Sequence, residues 1–232
     1  SKGVDEKGFS VSCLVESAKR LGYTRLTLKS DNEPAIVKLL AEALRDLRIQ
    51  GLEQALEEHS PEYDPQANGS AEVAVRLLKG HLRTVRSCLE SRIGFRVPAR
   101  HAVTSWLVRH AAALVTWCAR GHDGQTAYQR VRGREFRTKL LSFGECCSFK
   151  VRSQEPLGHF DNRRFQRGVF IGIDRRTGQY MLYSGGEVRL ARTVVRVSES
   201  EKWDKDKLEE IKSTPLTMHQ PREPEVVFKD KA

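Results

Sequence analysis

From Ala71 onward the apolar side chains fall at Ala71, Val75, Leu78, Leu82, Val85 and Leu89. Steps of four and three place them on one face of a long α-helix, and such a face has to lie against another layer of structure. One residue along, Glu72, Arg76, Lys79, Arg83 and Arg86 keep the same spacing and form a second stripe, a carboxylate followed by four cations. The helix is entered through Pro65-Gln66-Ala67-Asn68-Gly69, a turn sequence in which Asn68 is the candidate cap. An acid in the first turn gains about 0.3–1 kcal/mol from the helix dipole. A Glu72–Arg76 pair one turn apart adds a similarly small amount. Those gains alone would account for the stripe as a solvated helix face.

The segment before this helix gives the carboxylate a context. Val11, Leu14, Val15, Ala18 and Leu21 recur at helical spacing, and Gly22 stops that helix. The run Arg25-Leu26-Thr27-Leu28-Lys29-Ser30 reads as a strand ending at Asp31. Asp31-Asn32-Glu33-Pro34 then opens a second helix, with Ile36, Val37, Leu40, Leu44 and Leu47 as its buried stripe. A short strand is expected within 49–56, followed by a loop over 59–68. After the long helix, Gly94 and Pro98 mark a break, and another helix runs to about Arg120. Strand, helix, strand, helix, helix is the back half of an α/β domain. Asp31 at a strand end and Glu72 at a helix head read as two of the three acids in a metal-binding triad of the kind that cuts and joins DNA.

Charge is unevenly spread. Of the net +10, residues 73–140 hold 14 Lys/Arg against 3 Asp/Glu, most of the cations being Arg. Arg forks match phosphate oxygens in paired hydrogen bonds, so this block suits nucleic-acid backbone. The apolar stretch near 111–118 is too short to span a bilayer, and no membrane partner is expected. The start, Ser1-Lys2-Gly3-Val4-Asp5, has no signal-peptide core and reads as an excised segment. The five cysteines show no zinc spacing, and adjacent Cys146 and Cys147 point to opposite sides of an expected strand. A reducing, intracellular setting follows.

Beyond about 138 the pattern changes to short β-rich runs. Gly168-Val169-Phe170-Ile171-Gly172-Ile173, Gly178-Gln179-Tyr180-Met181-Leu182-Tyr183 and Val188-Arg189-Leu190-Ala191-Arg192-Thr193-Val194-Val195 are split by turn sequences at 174–178 and 184–186. A small, barrel-like β module is expected over 139–197. From Ser198, mixed charge with Pro215, Pro221 and Pro224 predicts a flexible tail to 232, with a short helix within 205–212.

Two stretches together resemble a known family. Asp31-Asn32-Glu33-Pro34-Ala35 after a strand, and Ser60-Pro61-Glu62-Tyr63-Asp64-Pro65-Gln66-Ala67-Asn68-Gly69-Ser70-Ala71-Glu72 at a helix start, are similar to the second and third acid motifs of retroviral and retrotransposon integrase catalytic cores. Gly124-Gln125-Thr126-Ala127-Tyr128, Gly133-Arg134, Phe143-Gly144 and the β-rich runs resemble the segments that follow that core in copia-type retrotransposon polyproteins. The resemblance covers about 9–197. It implies a partial RNase H-like integrase core over 1–138, and DNA integration as the parent function. Asp31 and Glu72 would be the catalytic and metal-holding acids for Mg²⁺ (or Mn²⁺). DNA is the implied partner, with Arg76 and Lys79 matching the basic positions that contact DNA ends in such enzymes. Arg83 and Arg86 continue their cationic stripe toward DNA, and Asn68, first a helix cap, is a secondary DNA contact. Self-association and a nuclear site of action on the genome are further implications.

The resemblance also has departures. The acids lie 41 residues apart, a few more than usual, with the excess at 51–58. Glu33 stands where the family prefers Gly, and no upstream strand offers the first acid, since Asp5 lies in a polar loop. In such enzymes two Mg²⁺ ions flank the scissile phosphate, one activating the attacking oxygen and one the leaving oxygen. With two acids the chain alone is expected to be inactive. A non-catalytic nucleic-acid-binding remnant of a decayed mobile element is the alternative, and a DDE transposase or other RNase H-like nuclease is disfavoured by the β module. His59 and His81 lack partners at ligand spacing, Glu62 and Asp64 lie in the loop off the helix, and Trp106 and Trp117 read as core. Arg163-Arg164 and Arg175-Arg176 are loop cations open to phosphate contact.

Overall fold

The computed structural model describes residues 4–5, 8–61, 68–150 and 165–218. The protein is mixed α/β and forms two compact units, Ser1–Leu77 and Leu78–Ala232. The division falls inside a helix, well before the boundary expected near 138.

The first unit runs α1 (Phe9–Leu21), β1 (Arg25–Ser30), α2 (Pro34–Ile49) and β2 (Gln54–His59). Asp5 holds the start of α1. The backbone N–H groups of Ser10 and Phe9 donate to its carboxylate at 2.8 and 2.9 Å and lower its pKa to about 2. At the other end Gly22, with φ 75°, returns its N–H to the Lys19 carbonyl. Strands β1 and β2 pair in parallel, Leu26 opposite Ala55 and Leu28 opposite Glu57, with α2 as the crossover. Leu26 and Leu28 pack on a core of Val11, Val15, Ala18, Ala43 and Leu47. Their neighbours Arg25, Thr27 and Lys29 are exposed on the other face, where Lys29 pairs with Glu58 at 2.9 Å. The second strand begins later than the expected 49–56. α2 continues to Ile49, Gly51 turns the chain at φ 90°, and Leu52 folds back onto the core.

Helix α3 (Gly69–Ile93) carries the division, and its C-terminal part belongs to the second unit. There follow α4 (Ala102–Cys118), α5 (Ala127–Arg132), β3 (Cys146–Lys150), β4 (Phe165–Ile173), β5 (Tyr180–Ser184), β6 (Glu187–Ala191), β7 (Val194–Arg196), α6 (Lys205–Glu209) and α7 (Pro215–Met218). The five strands form an antiparallel sheet in the order β6-β5-β4-β3-β7. One side packs Cys146, Val169, Ile171 and Met181 with Leu89, Trp106 and Leu107. The other packs Cys147, Phe149, Phe170 and Leu182 with Ala113 and Trp117. Alternation along β3 thus sends the adjacent cysteines into different clusters. Burial pushes the Cys147 thiol up to about 12, so it is a packing group rather than a nucleophile.

The structure departs from the sequence pattern in two places. The β module is an open sheet rather than a barrel, because β6 and the three-residue β7 stand at opposite edges of the strand order. The stretch 198–218 is packed rather than a flexible tail. Leu208 and Ile211 are buried in the first of these clusters, and the Trp106 indole donates to the Ser213 carbonyl at 2.8 Å. Mixed charge concealed these few apolar anchors; the short helix expected at 205–212 is α6.

One turn fastens the sheet to α3. Gly144 has φ 81°, and a Cβ there would sit 2.5 Å from Leu89 Cδ1. Beside it the fully buried Glu145 accepts from the Ser142 N–H at 3.0 Å and lies 2.9 Å from Arg196 Nε. The Arg196 approach is off the hydrogen-bonding direction, so that contact is an ion pair.

Candidate functional site

Asp31 follows the last residue of β1 and is exposed. It stands at the carboxyl end of a parallel strand, where ligand crevices of open α/β sheets lie. The local backbone is braced from both strands. Ser30, itself buried, donates through Oγ to the Asp31 carbonyl at 2.9 Å, and its own carbonyl accepts from Ser60 N–H at 2.8 Å. The Asn32 side-chain amide donates to the Ser60 carbonyl at 3.2 Å. Asp31 Oδ1 accepts weakly from Glu33 N–H at 3.4 Å. The start of the loop that leaves β2 is therefore tied to the turn that bears Asp31. Residues 62–67 of that loop, with Glu62, Asp64 and the Pro-Gln-Ala part of the motif, lie outside the described residues.

Glu72 lies in the first turn of α3 and is exposed, as is every residue from 70 to 77. The apolar stripe is buried only from its second half. Leu78, Leu82 and Val85 are half-buried and Leu89 is buried, while Ala71 is exposed and Val75 is 49% exposed. The expected Glu72–Arg76 ion pair is not formed; among the described residues Glu72 has no ion-pair partner, and neither does Asp31. Also among the described residues, no three His, Cys, Asp or Glu side chains converge as a metal-holding group.

The cationic stripe divides along its length. Arg76, Lys79 and Arg83 are exposed and carry no acidic partner among the described residues. Arg86 differs: its guanidinium donates to Glu90 Oε1 at 2.7 Å and to the Val97 carbonyl at 2.6 Å, while Val97 N–H donates to the same carboxylate at 2.8 Å. The Arg86 partner holds the Glu90 carboxyl below the usual carboxylate range. Arg86, expected to face DNA, thus clamps the end of α3 to the segment after the Gly94 break. Asn68 stands one residue before the helix and is half-buried.

The other candidates resolve simply. His59 is near Glu57 at 3.4 Å, Trp106 is core, and Trp117 stacks on Phe136 with ring centroids 4.2 Å apart. Arg163 and Arg164 lie outside the described residues. Sequence reasoning missed His110, which is buried in α4 between Phe143 and Phe170, its Nδ1 lacking a hydrogen-bond partner among the described residues. Burial lowers its pKa from 6.5 to about 4, leaving a neutral imidazole. Its helical register with Val103, Trp106, Leu107 and Ala113 was the available signal.

No protein-family model matches the chain, and no curated protein matches it. The class supported by fold and site is therefore a mixed α/β protein with an exposed cationic helix face. Among the described residues no helix is long and apolar enough to cross a membrane.

Proposed function

We propose that this chain is a DNA-binding part of a retrotransposon integrase of the copia type, with an RNase H-like core. In this reading Asp31 and Glu72 are the second and third acids, and Arg76, Lys79 and Arg83 grip the DNA backbone, with Asn68 at the helix head. The observation that carries it is the exposed run of three cations on one α3 face behind Glu72, without acidic partners among the described residues. Cations left unneutralised by the protein are available to phosphate, and each contact releases counterions on binding.

Carboxylate oxygens are the donors that Mg²⁺ or Mn²⁺ prefers. Two of them do not fill a two-ion centre, and among the described residues no three His, Cys, Asp or Glu side chains come together as a metal-holding group. The chain's own residues bind and orient DNA; joining would need a further acid from an adjoining strand. That incompleteness also favours a second reading, a remnant that binds nucleic acid without catalysis.

The experiment is direct. Residues 1–232 with Mg²⁺ or Mn²⁺ should bind duplex DNA and show neither cleavage nor strand transfer. Replacing Arg76 and Lys79 with Ala should weaken binding and reduce the salt slope by about one unit per lost contact. An unchanged slope would return the stripe to a solvated face. Adding an upstream strand that ends in Asp should switch on joining, and Glu72→Gln should then abolish it with the fold intact. A longer chain that binds but never joins would select the remnant reading.

A further inference from the structure

A second basic feature lies in the Leu78–Ala232 unit, away from the α3 stripe in sequence. Gln125, Gln129, Gly133, Arg134, Glu135 and Arg137 line an open cleft of about 390 Å³ beside α5. Its walls are built rather than loose. Thr126 caps α5 through a reciprocal capping box with Gln129, whose Oε1 accepts from Thr126 N–H at 2.7 Å. The preceding loop is locked by Arg130, which donates twice to Asp123 at 2.6 and 2.9 Å and once to the Gln125 carbonyl at 3.2 Å. Gly133, at φ 65°, ends the helix and turns the chain into the far wall. That wall is pinned by Phe136, which stacks on Trp117 and meets Tyr128 edge-on at 5.4 Å.

The chemistry of the cleft is cationic with one exception. Arg134 and Arg137 are exposed and have no ion-pair partner among the described residues; the flanking Arg132 and Lys139 are also exposed and without one. Arg130 is the member of this run that is neutralised, by Asp123. The exception is Glu135, whose carboxylate lies 3.4 Å from the Gln129 side-chain amide. Two guanidinium forks on one pinned turn can take the oxygens of a phosphate in paired hydrogen bonds. An open, solvated site holds a lone phosphate weakly, whereas a polymer gains from every neighbouring cation it meets.

We propose that this cleft binds the sugar–phosphate backbone of a polynucleotide, one phosphodiester seated between Arg134 and Arg137 and the strand continuing past Arg132 and Lys139. The site goes beyond the function proposed above, since it needs neither carboxylate and none of the α3 cations.

The test uses the full chain and a fluorescein-labelled duplex read by anisotropy across a salt series. Arg134→Ala with Arg137→Ala should lower affinity on the order of tenfold and reduce the salt slope by about two units. Glu135→Gln, which removes the one carboxylate of the cleft, should tighten binding severalfold. Both variants should keep the parent melting temperature. An unchanged slope in the double variant, or weaker binding in Glu135→Gln, would overturn the site. A labelled poly-glutamate peptide should bind poorly and ignore the double variant; equal dependence on Arg134 and Arg137 would reassign the cleft to acidic peptides and overturn the polynucleotide reading. Arg76→Ala with Lys79→Ala, run in parallel, separates the two surfaces. If that pair has no effect while the cleft variants do, the α3 proposal falls and this one stands.

Discussion

The two compact units solve the burial problem differently. The Leu78–Ala232 unit covers both sides of a five-stranded sheet and buries Trp106, Phe149 and Phe170 almost completely. The Ser1–Leu77 unit covers one face of a two-stranded parallel pair, and its fully buried side chains are aliphatic, with Ala43 and Leu47 at its centre. Burying a large apolar side chain is worth about 1.5–3 kcal/mol, so the second unit holds far more of the stabilising area. Parallel sheets usually have both faces covered. Leu56, 47% exposed on the outer face of β2, marks where cover is missing among the described residues. The unit that carries Asp31 is the less supported of the two.

This contrast can be broken most forcefully in the second unit. All three tryptophans, Trp106, Trp117 and Trp203, lie there, so their fluorescence reports that unit. Phe170→Ala should cost about 3–5 kcal/mol in denaturant unfolding followed this way; a loss below 1 kcal/mol would mean that the sheet is not the dominant core.

Next comes the buried imidazole. The folded pKa of His110 is depressed to about 4 from 6.5, so the unfolded chain binds the proton more readily. Its contribution is constant above pH 6.5 and is lost as pH falls from there toward 4, by about 3 kcal/mol in all. His110→Leu should flatten that part of the stability–pH curve, again by tryptophan fluorescence. A wild-type curve already flat between pH 6.5 and 4 would remove the effect.

Hydrogen exchange compares the units residue by residue. Amides in β1 and β2 should exchange on the order of 100-fold faster than those in β4 and β5, because two paired strands alone are marginal. Equal protection would mean that the parallel pair is better supported than its cover suggests. The smallest effect lies on α3. Arg86→Ala should lose about 1–3 kcal/mol, since Glu90 and the Val97 carbonyl lose their donor. Arg83→Ala should change stability by less than about 0.5 kcal/mol and act on DNA binding instead.

Much of the local structure was legible. Helical spacing located α1, α2 and α3, the break at Gly94 and Pro98 set off α4, Gly22 and Pro34 marked helix ends, and alternation separated Cys146 from Cys147. These are near-neighbour effects, set by backbone geometry within one or two turns. The candidate site was legible as residue types: an acid at a strand end, an acid at a helix head and a cationic face. Its division was not. Arg83 and Arg86 look alike in the sequence, and only the chain's return after Gly94 puts the Val97 carbonyl on Arg86.

By itself, then, the sequence determined where the chain is helical or extended and which side chains share a face, because those follow from periods of 3.6 and 2. Only the tertiary structure decided which faces are covered. It left the front of α3 exposed while burying Leu89, drew Leu208 and Ile211 into a core from a stretch that reads as a tail, and set His110 between two aromatic rings with no hydrogen-bond partner for Nδ1 among the described residues. Burial depends on what arrives from far along the chain. A few apolar anchors in a charged segment are enough to bring it there, and local pattern does not record their destination.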